Sequence, residues 1–106
     1  MLILNVEWLV RLEGSKEPYA FLVANGFTNQ EALRILNKET EEMIFDEIER
    51  LTQLFNCSAN DLFDWYGDAD SHLAKLKKPT MEELERMLEK IGPKEIREIV
   101  RQAGGY

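Results

Sequence analysis

A hydroxyl residue followed three positions later by an acid recurs along this chain, at Thr28-Asn29-Gln30-Glu31, Ser58-Ala59-Asn60-Asp61 and Thr80-Met81-Glu82-Glu83. In such a quartet the hydroxyl accepts from a backbone N–H one turn into a helix, and the acid reaches back to the cap's own N–H. Each quartet therefore predicts a helix start. Stops stand along the chain at Gly14, Asn25-Gly26, Asn56, Gly92-Pro93 and Gly104-Gly105, where glycine tolerates a left-handed backbone and proline cannot continue a helix. A chain punctuated this closely folds into short helices.

Met1–Leu4 is a brief extended segment or a lead-in, and Asn5 is the expected N-cap of a helix running to about Leu12. Pro18 fits only a first turn and predicts a second helix to Ala24. The Thr28 box opens a third helix ending near Asn37, followed by an acidic loop at Glu39-Thr40-Glu41-Glu42. Ile44, Ile48, Leu51 and Phe55 repeat at helical spacing and predict a buried stripe. The Ser58 box predicts a short helix through Trp65. Residues 67–79 read as a linker. Two further helices follow, with Met81, Leu84, Leu88 and Ile91 on one face of the first and Ile96, Ile99, Val100 and Ala103 on one face of the second. The expected fold class is all-α: five helices over residues 1–66, a linker over 67–79, and a helical pair over 80–103. Trp8, Phe21, Phe45, Phe55, Phe63 and Trp65 are assigned to the core.

Several function classes are disfavoured. The longest apolar runs, Met1–Leu4 and Ala20–Ala24, are too short to span a bilayer. No charged-then-apolar leader with a small-residue cleavage site is present, and Cys57 is the only cysteine, so a reducing cytoplasm is expected. Cys57 is read as a small packing residue. His72 stands alone in a charged stretch, no glycine-rich phosphate loop occurs, and the many carboxylates show no acid–base pairing. No enzyme activity, metal or cofactor is expected. The formal charge is −7, but the acidity is concentrated: residues 41–64 carry seven acids against Arg50, whereas 15–40 are neutral.

Leu4-Asn5-Val6, Phe21-Leu22-Val23-Ala24-Asn25-Gly26-Phe27-Thr28, Arg34-Ile35-Leu36-Asn37 and the block from Phe45 to Trp65 together resemble the Cro and phage-repressor superfamily of compact bacterial regulators. The segment Leu54–Trp65 is especially similar to that family's fourth and fifth helices. The resemblance covers roughly residues 3–66 and implies a five-helix, lambda-repressor-like helix-turn-helix domain. It implies that the helix from Thr28 to Asn37 enters the major groove of double-stranded DNA while the helix from Pro18 crosses the backbone. Asn29 and Gln30 then suit adenine, Arg34 guanine or a phosphate, and Lys38 a phosphate. Thr28, Asn37 and Lys16 are the further expected DNA contacts.

The alternative is a degenerate helix-turn-helix that binds a protein partner through its acidic face, as an antitoxin-like or phage-encoded modulator would. The last two helices are expected to expose Leu84, Leu88, Ile96 and Ile99 unless their own domain or a second copy covers them, so a homodimer through them is expected. Lys90, Lys94, Arg97 and Arg101 share one helical face, either as a solubilising stripe or as a partner for the acidic helix at residues 46–49.

Overall fold

The structure is a computed structural model that describes residues 1–37 and 44–106. The expected phosphate contact Lys38 and the acidic stretch Glu39–Glu42 lie outside the described residues. The described residues form six α-helices: α1 (Glu7–Leu12), α2 (Pro18–Ala24), α3 (Asn29–Leu36), α4 (Phe45–Phe55), α5 (Met81–Leu88) and α6 (Pro93–Gly104). Two strands, β1 (Leu2–Leu4) and β2 (Phe63–Trp65), pair antiparallel with Ile3 opposite Asp64. The protein is thus mostly helical with one small sheet rather than strictly all-α. Among the described residues no helix is long and apolar enough to cross a membrane.

Most helix boundaries follow from the caps. Thr28 and Thr80 each close a full capping box, with Glu31 and Glu83 reaching back. Pro18 and Pro93 occupy first turns. Asn56 takes φ 49 and ends α4 in the left-handed region, where asparagine's short polar side chain is tolerated. Gly26, at φ 99, makes the sharp turn between α2 and α3 that a side chain would strain.

Two starts differ from expectation. α1 begins after Val6 without a side-chain cap, because Asn5 is turned inward and donates from Nδ2 to Asp64 Oδ2 at 2.8 Å. The Ser58 quartet makes only a single 3₁₀ turn, Ala59–Asp61, and Ser58 makes no side-chain cap bond. Its acid is spent elsewhere. Asp61 is fully buried and accepts from Arg101 of α6 at 2.7 Å and from the Tyr106 hydroxyl at 3.3 Å. The chain after it is drawn out into β2 by pairing with β1, so the helix expected through Trp65 does not form.

One core runs through the molecule. Trp8, Leu9 and Leu12 of α1, Leu22 of α2, Ala32 and Ile35 of α3, and Leu51 and Phe55 of α4 pack with Leu62, Leu84, Ile96 and Val100. Phe21 and Phe55 stack with ring centres 5.9 Å apart. The stripe on α4 is shorter than its spacing implies. Leu51 and Phe55 are buried and Ile48 is half-buried, but Ile44 is exposed and Phe45 is 87% exposed, outside the core assigned to it.

The region after residue 66 belongs to this core. The expected linker contains a 3₁₀ turn at His72–Leu76, and Leu76 and Lys78 are buried. Leu84 and Ile96, which were expected to need a cover, are completely enclosed by the chain's own domain. Of the other two residues expected to need a cover, Leu88 is half-buried and Ile99 stays 46% exposed. The basic stripe expected at Lys90, Lys94, Arg97 and Arg101 splits likewise. Lys90 and Lys94 face solvent, while Arg101 pairs with Asp61 and Arg97 donates to the carbonyls of Phe55 and Asn56. These arginines meet the C-terminal end of α4 and Asp61, not the acidic residues 46–49.

Removing Leu84 or Ile96 side chains by alanine substitution is expected to lower stability by about 2–5 kcal/mol. A chain ending at residue 78 should lose its cooperative thermal transition by circular dichroism. Burial pushes the Asp61 carboxyl up, but the Arg101 hydrogen bonds and charge, helped by the Ser58 backbone and Arg97, hold it below its ordinary value. A carboxyl lowered on folding stabilises fully above its unfolded pKa of about 3.9, and the contribution disappears as pH falls through the folded value. Asp61→Asn should therefore cost about 3 kcal/mol at neutral pH, by unpairing Arg101 and Tyr106. Its difference from the natural chain in urea midpoint should narrow below about pH 4.

Candidate nucleic-acid interface

α2 and α3 are joined through Asn25, Gly26, Phe27 and Thr28, and the turn is held from both sides. Phe27 N donates to Leu22 O at 3.1 Å, and the Asn25 side chain donates to Phe21 O at 2.8 Å. Phe27 is buried beneath the turn. Leu22, Ala32 and Ile35 join the two helices to the core, which orients the opposite side of α3 toward solvent.

Arg50 of α4 clamps this arrangement. Its guanidinium lies 4.3 Å from the centre of the Phe27 ring, donates to Gly26 O at 2.9 Å and pairs with Glu31 at 2.7 Å. Glu31 is also the reciprocal acid of the Thr28 cap, accepting from the Thr28 N–H at 2.8 Å. That backbone bond, followed by the Arg50 bond, holds the Glu31 carboxyl below its ordinary value. Sequence reasoning did not single out Arg50. The available signal was its isolation as the one base in the acidic stretch 41–64.

The expected contacts divide into two groups. Thr28, Asn29 and Gln30 are exposed at the start of α3, and Leu33, one turn on, is 60% exposed. Asn29 and Gln30 make no side-chain hydrogen bond among the described residues. Asn37 is exposed at the far end of the helix. Arg34, by contrast, closes on Glu47 of α4 at 2.6 Å, and Glu47 is buried. Lys16 is exposed just before α2 and lines a cleft of about 390 Å³ with Arg11, Pro18, Met81 and Glu85. Tyr19, in the first turn of α2, is 40% exposed.

Among the described residues no group of three metal-ligating side chains comes together. Burial pushes the Cys57 thiol up to about 11, with Asp61 adding to the shift and Arg97 and Arg101 opposing it. A thiol held protonated in this way is a packing group at neutral pH. Comparison of the chain with protein-family models, curated proteins and solved structures finds no match.

The two groups of side chains should separate in a melting experiment. Arg34→Ala, which removes the ion-pair partner of the buried Glu47, is expected to cost about 1–3 kcal/mol, and Arg50→Ala, which removes the bonds to Gly26 O and Glu31 but leaves the Thr28 cap in place, about 1 kcal/mol. Asn29→Ala and Gln30→Ala should stay within about 0.5 kcal/mol of the natural chain.

Proposed function

We propose that the chain is a small sequence-specific regulator of the Cro and phage-repressor type. It acts in the cytoplasm by occupying double-stranded DNA, with no cofactor. The observation that carries this reading is the outward face of α3. Thr28, Asn29, Gln30 and Leu33 stand exposed on a helix whose other face is locked by a capping box, two ion pairs and the core. A rigid helix with unpaired amides at its N-terminal end, backed by a second helix across a tight turn, suits insertion into the major groove. α2, bearing Tyr19 and flanked by Lys16, then lies along the phosphates, where such side chains set register.

Phe45 favours a second reading. At 87% exposed, beside exposed Ile44 and the acids Asp46 and Glu49, it is an apolar side chain in a negatively charged surround. That combination suits a basic protein partner carrying an apolar contact.

Fluorescence anisotropy on duplexes selected from a random pool separates the two. For a DNA regulator, Asn29→Ala and Gln30→Ala each weaken binding to the selected site by about 1–3 kcal/mol and erase discrimination against mismatched sites. Lys16→Ala weakens all duplexes alike. Phe45→Ser leaves DNA affinity unchanged. Equal, negligible effects of the α3 variants at low salt would instead support the partner-binding reading.

A further inference from the structure

We infer, on the basis of the DNA-binding reading above, that the base pairs facing α3 in the preferred site are A·T rather than G·C. The argument rests on which side chains of α3 remain available. In the major groove guanine is read by a bidentate arginine or lysine, and cytosine by a carboxylate accepting from its N4 amino group. α3 contains one residue of each kind, and both are withdrawn. Arg34 is held by the buried Glu47 at 2.6 Å. Glu31 is held by the Thr28 backbone at 2.8 Å and by Arg50 at 2.7 Å.

Reaching a base edge would require either residue to leave a partner unpaired. For Arg34 that partner is a carboxylate only 8% exposed. An unpaired buried charge is penalised more than a base contact repays.

What remains is neutral. Asn29 and Gln30 offer carboxamides, whose donor and acceptor match N7 and N6 of adenine bidentately. Leu33 follows Asn29 by four residues and Gln30 by three, so all three lie along one edge of the helix. Its exposed isobutyl group has no hydrogen-bonding use there, but it matches the C5-methyl of thymine, the one apolar group in the major groove. A carboxamide for adenine and an aliphatic group for thymine on the same edge specify A·T pairs from both strands. This edge therefore discriminates by hydrogen bonds and a methyl contact instead of by charge.

The test uses the full chain in a selection from a random duplex library at low salt. The affinity of the selected duplex is then measured with each thymine replaced in turn by deoxyuridine, which lacks the methyl. The expected result is a block of A·T pairs in which at least one replacement lowers affinity about four-fold, the worth of one buried methyl group. Leu33→Ala should lower affinity for the thymine duplex by a similar factor and make that replacement silent. Asn29→Ala should cost about ten-fold or more at an adenine. Leu33 and Asn29 are exposed, and circular dichroism of both variants should match the natural chain.

A selected block centred on G·C pairs, still weakened by Asn29→Ala, would overturn the inference and leave the DNA-binding reading standing. An A·T block indifferent to thymine replacement and to Leu33→Ala would also overturn it. No enrichment of any duplex would overturn both.

Discussion

A single carboxylate with no access to solvent holds the two ends of this fold together. Asp61 sits at the exit of the 3₁₀ turn after α4, and its oxygens accept from Arg101 and Tyr106 while Arg97 stands 3.8 Å away. Its backbone carbonyl also accepts from the indole of Trp8 at 2.9 Å, so one residue touches α1, α6 and the C-terminal tyrosine. A buried charge is tolerable only when its lone pairs are filled. Here the donors come from 40 and 45 residues further along the chain. The requirement forces α6 down onto the end of α4, where Arg97 also satisfies carbonyls that a helix end leaves open. Asp64 acts similarly nearby, accepting from the Asn5 side chain and the Lys78 backbone.

The same logic of inward-facing charge shapes the surface around α3. The 13 lysines and arginines of this chain are outnumbered by 20 acids, which works against binding a phosphate backbone. Two of the arginines near α3, Arg34 and Arg50, are committed to holding the helix in place. Electrostatic attraction is exchanged for rigidity. The exposed edge is neutral and fixed in orientation, so whatever it binds is chosen by shape and hydrogen bonding more than by charge.

How far the sequence could be read depended on the range of the interactions involved. The α2, α3 and α5 boundaries were legible because their determinants are local: Pro18, the Thr28–Glu31 box and the Thr80–Glu83 box act within one turn. The Ser58 quartet has the same spelling and fails as a helix start. Its acid is an aspartate, one methylene shorter than glutamate, and it is claimed by Arg101 far away in the chain. Asn5 was misread as a cap for the same reason, since its partner Asp64 lies 59 residues on. Periodicity placed Leu84, Ile96 and Val100 on apolar faces correctly, but it carries no information about which surface meets them. At the candidate site, the exposure of Thr28, Asn29 and Gln30 at the start of α3 was legible from the capping box. The diversion of Arg34 required knowing that Glu47 faces it across two helices.

The amides of Asn29 and Gln30 and the side chain of Leu33 on the outer edge of α3 are exposed, and the two amides make no side-chain hydrogen bond among the described residues. Substitutions there are nearly invisible to folding, so mutations at these positions can accumulate without being purged for instability. The scaffold beneath, knotted together by charges at both ends, changes only under heavy constraint. If this edge recognises DNA as proposed, changes there alter the target while the architecture stays still.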